Sequence, residues 1–253
     1  QGPLRIMNPE EYTRLDQIDR EHWFYRGKRD IARYWMGRYL TLGPGDLVVD
    51  AGCGAGTMVA EISRQCRAVG LDDHQESIAA ARGKLRGRPA WLVQAALDGI
   101  PLQDGCASGL LLLDVLEHLD RPEDALREAA RVTRPGGLLI VTVPALRQLW
   151  SDWDVALHHR RRYHRRELLE LVSQPALEVL HLSYINTAML LPIAGVRLWR
   201  KLFPPSAGSP RAEDQIPLPL VNTLLHRSFV SPACWPWFRA PIGVSLLAVL
   251  RRR

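Results

Sequence analysis

The chain has 253 residues, of which 47% are hydrophobic and 24% are charged. These proportions are close to those of ordinary soluble proteins and exclude a disordered chain, a collagen-like repeat and a disulfide scaffold. The 33 Lys and Arg residues exceed the 27 Asp and Glu residues, which gives a formal net charge of +6. This positive charge would suit binding to a nucleic acid, an anionic membrane surface or an acidic substrate. Net charge carries no information about the fold.

The cysteines form no CxxC pair and have no regular spacing, so the sequence predicts neither a zinc site nor a disulfide framework. They are Cys53, Cys66, Cys106 and Cys234. The amino end lacks the basic region and apolar run of a secretory signal. We therefore expect a cytoplasmic protein, with peripheral membrane contact left open.

Apolar residues recur at the helical repeat across residues 9–40, which predicts a helical segment there. From residue 46 onwards, short apolar runs alternate with helical patterns. Strands are predicted at 47–50, 68–71, 90–94, 109–113, 138–143 and 177–185, and helices at 57–66, 75–85, 122–133 and 167–173, with a turn at Pro135-Gly136-Gly137. Such alternation predicts parallel βαβ units in a doubly wound α/β sheet.

The pattern changes after residue 185. Residues 187–203 are apolar but are interrupted by Pro192, Arg197 and Arg200, and a membrane span needs ~20 apolar residues, so no transmembrane segment is predicted. A loop at 204–219, a helix at 220–229 and a strand at 244–250 follow. We divide the chain into an N-terminal helical lid (4–45), a doubly wound core (46–185), an apolar helical insertion (186–241) and a final strand with a basic tail (242–253).

The first predicted strand ends at Asp50 and leads into Gly52, Gly54 and Gly56 before a helix begins. Glycines let the backbone approach a ligand closely, and the helix start offers free N–H groups. Asp72 ends the second strand, where an acid can accept both hydroxyls of a ribose. Asp50 would repel the pyrophosphate of a dinucleotide, so this turn suits a ligand that carries an ammonium group and no phosphate.

Four segments resemble, in order, motifs of the class I S-adenosylmethionine-dependent methyltransferases. They are residues 48–56, 70–73, 113–119 and 126–137. Residues 21–29 and 159–168 are similar to the lid helix and the segment after strand five in a bacterial small-molecule subgroup, whose members include ubiquinone-biosynthesis-type O-methyltransferases. The resemblance implies an enzyme with a Rossmann-like, mostly parallel seven-stranded sheet, an N-terminal helical lid and a helical insertion before the last strand.

The resemblance also implies S-adenosyl-L-methionine as cofactor and S-adenosyl-L-homocysteine as product. Asp50 would lie close to the ammonium group, Asp72 would hold the ribose, and Arg26 would pair with the carboxylate. Ala96 stands where the family often has an acid that reaches the adenine, so adenine recognition is expected to rest on backbone and stacking. The cofactor residues implied are Arg26, Asp50, Gly52, Cys53, Gly54, Gly56, Asp72, Asp73, Ala96, Leu97, Leu113 and Asp114.

The candidate catalytic residues are His118, His159 and Tyr163. Either histidine could act as a base toward an oxygen acceptor near neutral pH. Asp114-x-x-Glu117-His118 has the spacing of a metal-binding motif in some relatives. We favour the interpretation that Glu117 caps and His118 shields the cofactor, so no metal site is predicted.

The acceptor is predicted to be a small or lipid-like molecule that is methylated at oxygen or nitrogen. The basic run 158–166 is interpreted as a solvated or substrate-facing loop and not as a nucleic-acid groove. The apolar insertion is predicted to be a cap over the acceptor or an interfacial anchor. The alternative is a metal-assisted RNA 3′-end methyltransferase, or an RNA-binding module that uses the basic run.

Overall fold

The computed structural model describes residues 17–203 and 215–253. Its helices are α1 (Trp23–Tyr39), α2 (Thr57–Ile62), α3 (Gln75–Arg82), α4 (Pro122–Val132), α5 (Asp152–Ala156), α6 (Arg165–Val172), α7 (Leu190–Leu202) and α8 (Pro219–Ala233). Its strands are β1 (Leu47–Ala51), β2 (Arg67–Asp72), β3 (Ala90–Gln94), β4 (Ala107–Leu113), β5 (Thr133–Pro144), β6 (Leu177–Ile185) and β7 (Ser245–Arg252).

The seven strands form one sheet in the order β3-β2-β1-β4-β5-β7-β6. Strands β1 to β5 pair in parallel, whereas β7 lies antiparallel between β5 and β6. The predicted seven-stranded α/β sheet is therefore confirmed as a mixed sheet. The antiparallel strand follows the insertion, after which the chain enters the sheet from the opposite end.

Helices cover both faces of the sheet and bury it. On one face, α4 and α6 contribute Leu126 and Leu168 to a core with the central strands. On the other face, α1, α2 and α8 contribute Trp35, Val59 and Phe229. Strands buried on both faces read as continuous apolar runs, as β4 and β7 do here.

Several predicted boundaries differ from the structure. Pro135-Gly136-Gly137, predicted as a turn, lies in an irregular segment inside β5. At this segment the register of pairing with β4 shifts from Ala107↔Thr133 to Gly109↔Leu138. The helix expected over 57–66 ends at Ile62. The first part of the predicted N-terminal helix, 9–16, and the loop residues 204–214 lie outside the described residues.

Arg251 and Arg252 of the predicted basic tail lie within β7, whereas Arg253 follows the strand. Arg252 donates from Nε to the carbonyl of Ala130 at 3.0 Å. Arg251 lies 3.6 Å from the Glu178 carboxylate on the neighbouring strand. These guanidinium groups stabilise the end of the sheet. Within the described ranges, no helix has the length and apolar character needed to cross a bilayer.

Helices α1 and α8, from distant parts of the chain, pack tightly against each other. The rings of Phe24 and Phe229 stack with centroids 5.7 Å apart, and the Trp35 indole donates to the carbonyl of Ala233 at 3.0 Å. At the crossing, a Cβ added to Gly27 would lie 2.6 Å from Phe229 Cδ1. Only glycine permits this approach.

Replacing Gly27 with alanine is therefore expected to destabilise the fold. The added methyl group would force α1 and α8 apart, at a cost of about 1–3 kcal/mol in the free energy of unfolding. Gly37→Ala on the same helix is the matched control, since its Cβ would meet no atom within 4 Å, and we expect a gain of roughly 0.5–1 kcal/mol there. Urea denaturation measures both, and equal effects would contradict the packing argument.

Candidate functional site

A cavity of about 550 Å³ opens at the carboxyl ends of β1, β4 and β5. This edge is where ligands bind in open α/β sheets. The glycine turn after β1 lines one end, and α1 covers the cavity with Phe24, Tyr25 and Lys28. The sequence-predicted residues that line it are Asp50, Gly52, Cys53, Gly54, Leu113, Asp114, His118 and His159.

The glycine turn has an open position facing the cavity. Gly52, Gly54 and Gly56 all adopt positive φ, at 82°, 50° and 74°. A Cβ on Gly52 or Gly56 would collide with Val115 or Ala81, so these glycines are required for packing. A Cβ on Gly54 would meet no protein atom within 4 Å. The space beside Gly54 therefore belongs to the cavity and can receive a ligand.

Asp50 gives this end of the cavity a buried acid. Burial raises the pKa of its carboxyl group to about 7, and the charges of Asp19 and Asp72 act in the same direction while Arg29 opposes them. A cationic ligand group would hold the carboxylate ionised. Together with the open space at Gly54, this acid fits the ammonium-bearing methionine end of S-adenosylmethionine.

Asp72 has a structural role that its sequence position alone did not reveal. Its carboxylate accepts hydrogen bonds from the backbone N–H of Gly54 at 2.9 Å and of His74 at 3.0 Å. Asp72 therefore fixes the glycine turn, and its ribose contact stays a prediction. Asp73 is exposed and lies 2.6 Å from the His74 ring.

Six of the predicted cofactor residues lie outside the set of described residues that line the cavity. They are Arg26, Gly56, Asp72, Asp73, Ala96 and Leu97. Ala96 is exposed, whereas the Leu97 side chain is buried in the core. The cofactor contacts expected of these residues stay predictions.

The cations that α1 brings to the cavity are Lys28 and Arg29. Arg26, the sequence candidate, points away from it and lies 3.8 Å from Asp30. Arg29 is held by the carboxylates of Asp19, at 3.2 Å, and Glu61, at 3.0 Å. Helical spacing places all three cations within one turn, and only the packing of α1 shows which of them face inward.

Asp114 joins α1 to the end of β4. It has a left-handed backbone, with φ at 55°, and its carboxylate pairs with the Lys28 ammonium and accepts from Thr142 Oγ1 at 2.8 Å. Burial would raise the pKa of Asp114, but the charge and hydrogen bonds of Lys28 and Thr142 hold it below the ordinary value. Asp114 thus stays charged and bound to Lys28 of α1.

A buried hydrogen-bond network orients His159. Its Nδ1 lies 2.9 Å from Asp154 Oδ1, and Arg162 Nε donates to the same oxygen at 2.7 Å. Burial opposes ionisation of Asp154, yet these hydrogen bonds lower its pKa to about 2. An ionised Asp154 requires the proton on Nδ1, so Nε2 of neutral His159 is left as an acceptor.

His118 and His159 face each other in the cavity, whereas Tyr163 lies elsewhere. The two imidazole centroids are 4.9 Å apart. Burial, and then the nearby His159, lower the pKa of His118, which favours its neutral form. Tyr163 is buried in the core and donates its hydroxyl to the carbonyl of Leu116 at 3.2 Å, and burial raises its pKa. The structure therefore does not place the Tyr163 hydroxyl among the cavity groups.

Glu117 lies behind the two histidines and is fully buried. Neither of its carboxylate oxygens has a hydrogen-bond partner, and burial, followed by the charge of Asp114, raises its pKa well above the ordinary value. Ligand atoms of Glu117, His118 and His159 all lie within 4.8 Å of one another. One carboxylate and two imidazoles could hold a divalent transition-metal or zinc ion, a cluster that the sequence analysis did not favour.

The basic run 158–166 attaches its own loop to the domain. Arg160 pairs with Asp120, and Arg161 donates to the carbonyl of Leu119 at 2.9 Å. Arg166 lies 2.8 Å from Glu170, one helical turn away. Arg162 is bound to Asp154. Four of the five arginines in the run therefore have partners among the described residues, which favours a structural role for this loop.

Residues 49–141 match the family model described as a methyltransferase domain. A protein described as a probable S-adenosylmethionine-dependent methyltransferase of Mycobacterium tuberculosis is 30% identical over 181 residues, which cover 67% of this chain and 62% of that protein. An uncharacterized 37.1 kDa protein in transposon Tn4556 of Streptomyces fradiae is 34% identical over 154 residues, 58% of this chain and 40% of that protein. The chain thus spans less than two thirds of either relative.

The solved structure of geranyl diphosphate C-methyltransferase from Streptomyces coelicolor shares the fold. It superposes with a TM-score of 0.59 at 16% identity and covers 88% of this chain and 76% of that one. At this level of identity, the likeness establishes the fold alone.

The raised pKa of Asp50 predicts that cofactor binding is coupled to proton release. In the free protein, Asp50 stabilises the fold when protonated, and this contribution is lost as the pH rises through about 7. At pH 6, the ammonium group of S-adenosylmethionine is therefore expected to displace a proton from Asp50. Calorimetric titrations at pH 6 in two buffers of different ionisation enthalpy measure this release. Asp50→Asn should abolish it and weaken binding, while the exposed control Asp73→Asn should retain the release.

Proposed function

Because the chain belongs to the class I S-adenosylmethionine-dependent methyltransferases, we propose that it transfers a methyl group to an oxygen or nitrogen atom of a small or lipid-like acceptor. One observation carries the proposal: the Asp50–Gly54 turn and the oriented imidazole of His159 line the same cavity. When bound, S-adenosylmethionine supplies an electrophilic methyl group on its sulfonium and leaves as S-adenosylhomocysteine.

The protein's first task is to bind and position the cofactor. Asp50 accepts from the ammonium group, and the bare backbone at Gly54 lets the methionine moiety approach the turn. Asp72 keeps that turn in shape through its hydrogen bond to the Gly54 N–H. Because methyl transfer requires little more than alignment and exclusion of water, this positioning supplies much of the catalysis.

The opposite part of the cavity is suited to an apolar acceptor. Trp153 and Leu157 line it from the segment after β5, and Pro192, Ile193 and Val196 line it from α7. Apolar walls with a few polar groups are typical of small-molecule sites. The same walls exclude water from the reacting atoms. This lining supports a lipid-like acceptor and a capping role for the insertion.

His159 is the group suited to remove a proton from an acceptor hydroxyl. Asp154 holds Nδ1 protonated, so Nε2 can take the proton, and the carboxylate then stabilises the imidazolium that forms. Asp154 is thus a positioning residue that acts through His159. An amine acceptor that reaches the site uncharged would not need this base.

The basic run gives little support to an RNA acceptor. An RNA groove needs arginines free to pair with phosphates, whereas Arg161 donates to the carbonyl of Leu119 and Arg162 is buried against Asp154. Arg160 and Arg166 form exposed ion pairs with Asp120 and Glu170. The small-molecule or lipid-like acceptor therefore accounts better for the described residues.

Loss of the base is expected to lower turnover without loss of cofactor binding. For a hydroxyl acceptor, His159→Gln should reduce kcat by about 10²–10⁴-fold, and Asp154→Asn should reduce kcat and shift the acid limb of its pH profile. The exposed neighbour provides the control His158→Asn, which suits its left-handed backbone and should retain activity. Single-turnover kinetics and calorimetric cofactor affinity test this, and unchanged kcat in His159→Gln would refute the base.

A second candidate is the same transfer assisted by a divalent cation. The unpartnered, buried oxygens of Glu117 beside His118 and His159 favour it. Such an ion would bind these three side chains and polarise an acceptor oxygen. This arrangement uses His159 as a ligand and so excludes it as the free base.

Metal dependence separates the two candidates. With a cation, exhaustive chelation should abolish methyl transfer, Zn²⁺ or Mn²⁺ should restore it, and Glu117→Gln should remove both the activity and the rise in Tm that the ion produces. With His159 as base, the chelated protein keeps its activity and shows no metal-dependent Tm. The matched carboxylate control is Glu123→Gln, which is exposed on α4 and should behave as the unmodified protein.

A further inference from the structure

Helix α7 exposes an apolar face. Leu191, Leu198 and Leu202 follow one another at spacings of seven and four, which places them on the same side of a helix. All three are exposed, Leu191 at 81%, and Trp199 beside them is 63% exposed with its ring 4.4 Å from that of Phe203. A contiguous surface of this kind marks an interaction site.

Helix α8 and the segment after it expose further apolar side chains. One side of α8 packs on α1 through Phe229, while Leu220, Val221 and Leu224 face outward. Beyond its end, the Trp237 ring stacks on Trp235 with centroids 5.3 Å apart and is 74% exposed. The insertion thus presents exposed leucine side chains on both of its helices, together with Trp199 on α7 and Trp235 and Trp237 beyond the end of α8.

The charge of the insertion has one dominant sign. Neither α7 nor α8 contains an acidic residue. Across residues 186–241, six basic residues outnumber two acidic ones, Glu213 and Asp214. The basic residues are Arg197, Arg200, Lys201, Arg211, Arg227 and Arg239. Of these, Arg197 lines the cavity and Arg239 donates to backbone carbonyls, whereas Arg227 is exposed on α8. Apolar and aromatic side chains within a basic segment are the features of helices that lie in the surface of an anionic membrane.

We propose that the exposed faces of α7 and α8 dock this protein on an anionic lipid bilayer, from which a lipid-like acceptor enters the cavity. The inference rests on the proposed function for the acceptor and on these surfaces for the docking. Helix α7 connects the two, because Pro192, Ile193 and Val196 line the cavity while Leu198 and Leu202 face outward. At 13 residues, α7 is about 20 Å long, which suits a helix lying in the membrane plane and not across it.

Vesicle flotation of the full chain tests the docking. The unmodified protein is expected to float with phosphatidylglycerol-containing vesicles and at least about tenfold less with pure phosphatidylcholine, because basic residues add attraction to anionic lipid. The double variant Leu198→Glu/Leu202→Glu should lose flotation by a similar factor. Trp91→Glu is the control, since Trp91 is an exposed aromatic residue on the edge strand β3 and should leave flotation unchanged.

Two further measurements keep the outcomes separate. Calorimetry should give the same S-adenosylmethionine affinity for all variants, so a variant that loses flotation alone supports the docking surface. Absence of cofactor binding in the unmodified protein would refute the proposed function without affecting the vesicle result. Flotation that is absent, or unchanged in the double variant, would overturn the docking. So would sedimentation showing a dimer that the double variant dissociates, since a second copy would then cover this face.

Discussion

The ion pair between Lys28 and Asp114 is the constraint on which the site depends. Asp114 directly follows β4 in a left-handed conformation and is also bound to Thr142 on β5. Lys28 lies on α1, so the Asp114 carboxylate connects the ends of the two central strands to a helix that lines the cavity. Because the pair is largely removed from water, breaking it would leave a buried charge. The pair therefore holds α1 against the cavity.

Two buried acids in and beside the cavity have different environments: Asp50 lines the cavity, whereas Asp154 binds the cavity residue His159. Asp154 has His159 and Arg162 as partners and stays ionised, whereas Asp50 lies near other acids and has a raised pKa. An acid with its partners in place orients a neighbouring group. An acid that lacks a full countercharge favours a cationic ligand. The same residue type thus orients His159 at one position and, at the other, supports the proposed recognition of the cofactor's ammonium group.

The positive charge of the chain is also divided between two uses. The arginines of the basic run and of β7 bind carboxylates and carbonyls within the fold, where guanidinium groups make several directed hydrogen bonds. The insertion combines its basic residues with exposed leucine and tryptophan side chains. Net charge alone does not distinguish basic residues that bond within the fold from basic residues that attract a partner. The location and contacts of each residue distinguish the two uses.

The sequence by itself determined the alternation of strands and helices, the glycine turn with Asp50, and the family, because these depend on local backbone preference and motif order. Only the tertiary structure decided which side chains meet. It placed Lys28 and Arg29 at the cavity instead of Arg26, and brought Asp154 to His159 while burying Tyr163. The sequence pattern does not distinguish cations within one helical turn, such as Arg26, Lys28 and Arg29. Packing between distant segments sets the direction in which each of these side chains points.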